Sequence, residues 1–187
     1  MVDFTPATGD ARRINLRGSS NRFSCSGPVT DFPSARGTYV LLLYLDVDRR
    51  LLMGRLGRLS FPKGGYFYVG SARGPGGLRA RLMHHLRSPD APHWHIDWFR
   101  QAAKVCGIWW GETLDRAECD WVQILLNLKD VRVLHKGAGA SDCVRGCPAH
   151  LLFSGKMEGQ PSWRRLFEEF NAQLPDLNLH CWGDYCP

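Results

Sequence analysis

The chain has 187 residues, 44% of them apolar and 22% charged, with 9 Phe, 7 Trp and 5 Tyr, a size and composition that exclude a disordered or collagen-like polymer and predict one buried core. Its longest apolar run, Tyr39 to Leu45, falls far short of the roughly 20 residues a helix needs to cross a bilayer; with no secretory or lipidation signal either, the expectation is a cytoplasmic protein that spans no membrane. Basic residues exceed acidic ones by 24 to 18, and residues 35–90 alone carry ten basic against three acidic, a field suited to a polyanion such as nucleic acid, although a solvated surface without a partner fits charge alone as well.

Residues 1–34 mix Gly, Ser, Pro, Thr and Arg without a sustained period and read as an N-terminal extension. Thr38 to Asp46 reads as a buried strand, with Leu51 to Leu56 as its hairpin partner. Phe61-Pro62-Lys63-Gly64-Gly65 then breaks the chain before a third strand, Tyr66 to Gly70, and a Gly-rich loop follows from Ser71 to Gly77. From Leu78 to Arg87 the residues Leu78, Leu82, Met83 and Leu86 recur at helical spacing, which leaves Arg81 and His85 on one flank with His84 beside them. A short helix is expected over Trp94 to Ala103 and a strand over Val105 to Trp110.

Asp115 is placed to cap a helix running to about Leu128. Turning that helix by about 100° per residue puts Trp121, Val122, Leu125 and Leu128 on one face with Glu118 among them. A carboxylate on an apolar face should be paired, protonated or ligating a cation, because burying an unpaired charge costs several kcal/mol; an ion pair with a nearby Arg or exposure at the helix end answers the same pattern. Val131 to Leu134 and Leu151 to Phe153 read as short strands, and Trp163 to Leu174 as a last helix that closes the domain. The resulting division is an extension over 1–34, one folded domain over 35–156, and a C-terminal helix and tail over 157–187.

The seven cysteines, at 25, 106, 119, 143, 147, 181 and 186, read as reduced thiols rather than a disulfide framework. Cys143-x3-Cys147-x2-His150 offers three zinc ligands and Cys181 or Cys186 a fourth. Paired close-spaced knuckles are missing, so structural zinc is not expected. Cys106 and Cys119 read as small core residues. His93, His95 and Asp97 would share a face only in a strand; the helix favoured here splays them, leaving His95 and Asp97 as structural or substrate-side groups. Trp94, Trp98, Trp109 and Trp110 could stack bases, but such Trp residues more often serve packing. No matching base makes Cys143 a nucleophile, so Ser141-Asp142-Cys143 reads as a turn.

Taken together, Gly37-Thr38-Tyr39 opening one strand, Tyr68-Val69-Gly70 closing another, Arg81 on the next helix and Glu118 on a later one resemble the GIY-YIG nuclease family over roughly 36–154. Phe61-Pro62-Lys63-Gly64, Tyr68-Val69-Gly70-Ser71-Ala72, His93-Trp94-His95-Ile96-Asp97, Ser141-Asp142-Cys143 and Cys147-Pro148-Ala149-His150-Leu151 resemble more narrowly its uncharacterised DUF123 branch. The resemblance implies an α+β fold with a small central three-stranded antiparallel sheet flanked by helices. It also implies endonucleolytic hydrolysis of phosphodiesters, in DNA rather than RNA and in a setting such as repair or recombination, with one divalent cation, Mg²⁺ or Mn²⁺.

By the same resemblance Glu118 holds the metal, Arg81 braces the scissile phosphate, Tyr39 orients or deprotonates the attacking water, Tyr68 joins that network and His85 positions a phosphate or relays a proton. Lys63, Arg73, Arg79, His84 and Arg87 are the expected phosphate and DNA contacts. Thr38 and Val69 stand where the family's name has Ile, and 28 residues separate Tyr39 from Tyr68, so an extra hairpin must be accommodated. The longer loop also leaves the choice between Arg81 and Arg79 to helix phase. The alternatives are a nucleic-acid-binding module on the same scaffold without turnover, and an interaction protein whose basic patch meets an acidic partner.

Overall fold

The computed structural model describes residues 23–24, 31–87, 91–155, 163–174 and 177–181. In chain order the elements are β1 (Phe23–Ser24), β2 (Gly37–Leu45), β3 (Arg49–Leu52), β4 (Arg58–Phe61), β5 (Gly64–Ala72), α1 (Gly77–Leu86), α2 (His95–Arg100), β6 (Lys104–Glu112), α3 (Glu118–Leu126), β7 (Leu151–Phe153), α4 (Trp163–Asn171) and β8 (Asn178–Cys181). The fold is α+β, but the sheet is larger than three strands. It has six, in the order β1-β8-β6-β2-β5-β7, and all neighbours are antiparallel except β1 beside β8. The expected trio β5-β2-β6 forms its middle; β7 and β8 extend it on either side.

The central position of β2 explains its sequence. Eight of its nine residues are buried, and a strand covered on both faces reads as an unbroken apolar run rather than an alternation. One face carries Tyr66, which packs against Phe61 and Phe99, with ring centroids 6.1 and 4.8 Å away. The other carries Trp109, stacked on Phe170 at 5.3 Å and touching Phe67 and Phe167, while Trp121 of α3 meets Phe170 edge-on. Aromatic pairs at these separations contribute about 0.5–1.5 kcal/mol each beyond the area they bury.

Two further sequence expectations are corrected. The segment after β2 does not pair with it: β3 pairs with β4 in a separate two-stranded sheet, because Arg49, Arg50 and Leu52 are exposed and a strand entering the main sheet would have to bury them. Val131 to Leu134 forms only an isolated bridge, Arg132 to Phe153. In the C-terminal segment Phe167, Phe170, Leu177 and Leu179 lie in the core, and β8 is hydrogen-bonded to β6. Among the described residues no helix is long and apolar enough to cross a membrane.

Candidate active site

A cavity of about 200 Å³, open to solvent, lies at the C-terminal end of β5 and gathers Tyr39, Tyr68, Arg81, His85 and Glu118 from four separate elements, with Arg73 from the loop after β5. Sheet register brings the tyrosines together. Tyr39 lies opposite Gly70, so Tyr68, two residues along β5, is its diagonal neighbour on the same face, with ring centroids 6.4 Å apart. Gly70 is needed there for space: a Cβ would stand 2.4 Å from the Tyr39 hydroxyl and 2.5 Å from its Cζ. The bare glycine lets the phenol cross β5 to reach His85 Nε2 at 2.7 Å.

Helix α1 supplies the cationic wall. Its early N–H groups are satisfied by the main chain before β2, with Leu78 N donating to Ala35 O and Arg79 N to Pro33 O, both at 2.9 Å, which fixes the helix phase. In that phase Arg81 and His85, one turn apart, line the cavity while Arg79 faces outward. The Arg81 guanidinium lies 4.4 Å over the Trp94 ring, a cation–π contact that orients the charge without neutralising it. Trp94 is itself fixed by Asp97, whose Oδ2 accepts the N–H groups of His93 and Trp94 at 3.0 and 2.9 Å.

Burial sets the protonation states. It raises the Tyr39 pKa well above the ordinary phenol value, helped by Tyr68 and opposed by Arg81. Tyr68 is raised likewise, first by burial and then by Asp142, against Arg81. His85 moves the other way: burial, then Arg100, Arg81 and His84, push it well below the usual imidazole value. At neutral pH the site therefore holds two phenols and a neutral imidazole.

Glu118 is the first residue of α3, whose N-cap is Ala117 rather than the expected Asp115. Its Oε2 is buried and has no hydrogen-bond partner among the described residues. Glu118 lines the cavity, and a carboxylate with an orphaned oxygen is the kind of donor a divalent cation takes, so the residues present fit the expected Mg²⁺ or Mn²⁺.

The remaining expected contacts scatter. His84 and Arg87 do not line the cavity; His84 Nε2 lies 3.6 Å from Asp97 Oδ1, and the Arg87 carbonyl accepts from Arg100 Nη2 at 2.5 Å. Lys63 precedes the far end of β5, roughly 20 Å from Gly70 at the usual rise per residue, and its N–H is spent on Asp48 Oδ1 at 2.7 Å. In exchange the fold delivers Arg116, Trp94, His95, Ser141, Asp142 and His150 to the wall. His95 Nδ1 accepts the Gly139 N–H at 3.2 Å, a structural tie, as its helical placement implied. Ser141 and Asp142 read from sequence as a turn; Arg116 is a single basic residue in a loop and carries no sequence signal.

One sequence reading of the thiols is also corrected. Cys119 is not merely a core residue, because its Sγ lies 3.6 Å from Cys143 Sγ. Cys119, Cys143, Cys147 and His150 present ligand atoms all within 4.8 Å of one another. Of the other fourth-ligand candidates, the Cys181 side chain and Cys186 fall outside the described residues. The His93, His95 and Asp97 trio does not converge; Asp97 instead groups with His84 and His85.

No curated protein and no solved structure matches the chain. A family model, that of the domain of unknown function DUF123, matches residues 38–172, a span that runs from the start of β2 through α4 and takes in every residue of the cavity wall. The chain therefore belongs to the DUF123 family.

Proposed function

We propose that the chain is a metal-dependent endonuclease on a GIY-YIG-like plan, hydrolysing phosphodiester bonds in DNA rather than RNA. The observation that carries the reading is the convergence of Tyr39, Tyr68, Arg81, His85 and Glu118 on one cavity.

The chemistry follows from the protonation states. A phosphodiester repels its nucleophile; Glu118 would hold a divalent cation, which would supply Lewis-acid charge that lowers that repulsion. Arg81, steadied by Trp94, pairs with the non-bridging oxygens through its planar fork. Tyr39 is a poor base by itself because burial keeps it protonated. It works as a relay: its oxygen takes a proton from the attacking water as its own O–H proton passes to His85 Nε2, 2.7 Å away, where a neutral imidazole waits. Tyr68, also a phenol, donates a hydrogen bond into the same space.

The test is a cleavage screen of labelled DNA and RNA structures, including duplex, flap and branched forms, with Mg²⁺ and Mn²⁺. Cleavage of at least one DNA form that disappears in Glu118→Gln supports the reading. Salt-sensitive binding without cleavage of any member would replace it by the binding module.

A further inference from the structure

The four residues Cys119, Cys143, Cys147 and His150 come from three places: the first turn of α3, the loop between α3 and β7, and the residue that leads into β7. The Cys119 and Cys143 sulfurs are 3.6 Å apart. With Zn–S bonds of about 2.3 Å, a tetrahedral centre has sulfur–sulfur edges of about 3.8 Å. A disulfide needs about 2.05 Å, and all three thiols are free. The loop is shaped for such a centre: Gly146 takes a left-handed φ of 72°, turning the chain so that Cys147 comes back beside Cys143.

His150 supplies an independent observation. It is only 5% exposed, yet its Nε2 has no hydrogen-bond partner among the described residues, while the Val69 backbone hydrogen-bonds the ring. A buried imidazole nitrogen left bare beside three thiols is costly unless something binds it.

We propose that Cys119, Cys143, Cys147 and His150 bind one Zn²⁺ ion in a closed, structural Cys₃His site. Three soft sulfur donors select zinc over Mg²⁺ or Mn²⁺. Four protein ligands leave no open position, which distinguishes a structural from a catalytic zinc. The sequence argued against zinc because paired close-spaced knuckles are missing, and it offered Cys181 or Cys186 as the fourth ligand; in the fold the fourth ligand is Cys119, 24 residues before Cys143. The site ties the start of α3 to the loop before β7, a junction that the Arg145–Asp120 ion pair at 2.8 Å also crosses.

The inference goes beyond the nuclease reading, and its test does not use cleavage. Full-length protein, purified without chelator, is assayed for metal by mass spectrometry and for ligands by X-ray absorption at the zinc edge. The expected result is about one zinc per chain with three sulfurs at about 2.3 Å and one nitrogen at about 2.0 Å. Co²⁺ exchange should add thiolate-to-metal charge-transfer bands and the visible bands of a tetrahedral ion. Cys143→Ser/Cys147→Ser should lose at least nine-tenths of the zinc, and Cys106→Ala, outside the cluster, should keep it. If the double variant does not fold, the wild-type absorption and Co²⁺ spectra decide. Wild-type protein without zinc that gives no Co²⁺ spectrum after anaerobic reconstitution overturns the proposal. So does a Cys119–Cys143 disulfide in the freshly purified chain, or full zinc retention in the folded double variant.

Discussion

Gly70→Ala tests the site through a residue that does no chemistry. The added Cβ would stand 2.4 Å from the Tyr39 hydroxyl, whereas a close carbon–oxygen contact is about 3.3 Å, so the phenol must move by about 0.9 Å. Lengthened by that amount, its 2.7 Å bond to His85 passes the usual limit of about 3.2 Å; shortened, it would drive the oxygen into the imidazole. Either way the relay is broken. A misplacement near 1 Å costs about 10²-fold in rate, and overpacking costs about 1–3 kcal/mol of stability. The assay is single-turnover cleavage of the best substrate from the screen, beside urea unfolding of the same preparations. In a Tyr39→Phe background the relay is already lost, so Gly70→Ala should add no further loss of rate through it, while its stability cost should persist because the ring Cζ would still stand 2.5 Å from the new Cβ. A folded Gly70→Ala protein cleaving at the wild-type rate would refute the reasoning.

Glu118→Gln and Arg81→Ala should fail differently. The first should lose turnover with DNA binding intact and be partly rescued by excess Mn²⁺. The second should lose turnover, weaken binding by about 1–3 kcal/mol and resist rescue; fluorescence anisotropy and cleavage on matched samples separate them. Because burial lowers the His85 pKa, the relay stays unprotonated through the ordinary histidine range, so kcat/KM should hold level from pH 8 to about 6.5 and fall only below it. Stability has the same sign: the unfolded chain takes up the proton first, so urea midpoints should drop as pH falls through about 6.5. Deleting residues 157–187 removes Phe167, Phe170, Leu177 and Leu179 from the core, roughly 6–12 kcal/mol at about 1.5–3 kcal/mol per side chain, against a typical total of about 5–15 kcal/mol. The 1–156 fragment should therefore lack a cooperative thermal transition by near-ultraviolet circular dichroism.

What the sequence disclosed was local. The unbroken apolar run of β2, the 3.6-residue period of α1 and the position of Glu118 on an otherwise apolar face were legible because each depends on a few neighbouring residues. Helix phase chose Arg81 over Arg79, yet only the carbonyls of Pro33 and Ala35 fix where that helix begins. Long-range placement was not legible. The strand β8 has four residues and no periodic signature, and it exists because Asn178 to Cys181 can pair with an open edge of β6. Arg116 and Asp142 reach the cavity from irregular segments, where no period says which way a side chain points. Cys119 looked apolar because its neighbours on α3 are apolar; its partners are more than twenty residues away.

The adjacency of Glu118 and Cys119 explains why one helix end serves two centres. Successive helical residues project about 100° apart, so the first turn of α3 directs its carboxylate into the cavity and its thiol into the Cys₃His cluster. The pair Asp142-Cys143 repeats the arrangement from the facing loop: Asp142 lines the cavity and raises the Tyr68 pKa, while the Cys143 sulfur lies 3.6 Å from that of Cys119. His150 belongs to both walls. Neither the start of α3 nor the loop can shift without moving a member of each set. The Arg145–Asp120 ion pair ties this loop to α3, and the Cys143 N–H is held by the Ala140 carbonyl at 3.2 Å. The proposed zinc, holding Cys119 to Cys143, would add a second tie at the residues next to the cavity groups, and it would do so without occupying any atom the proposed hydrolysis uses.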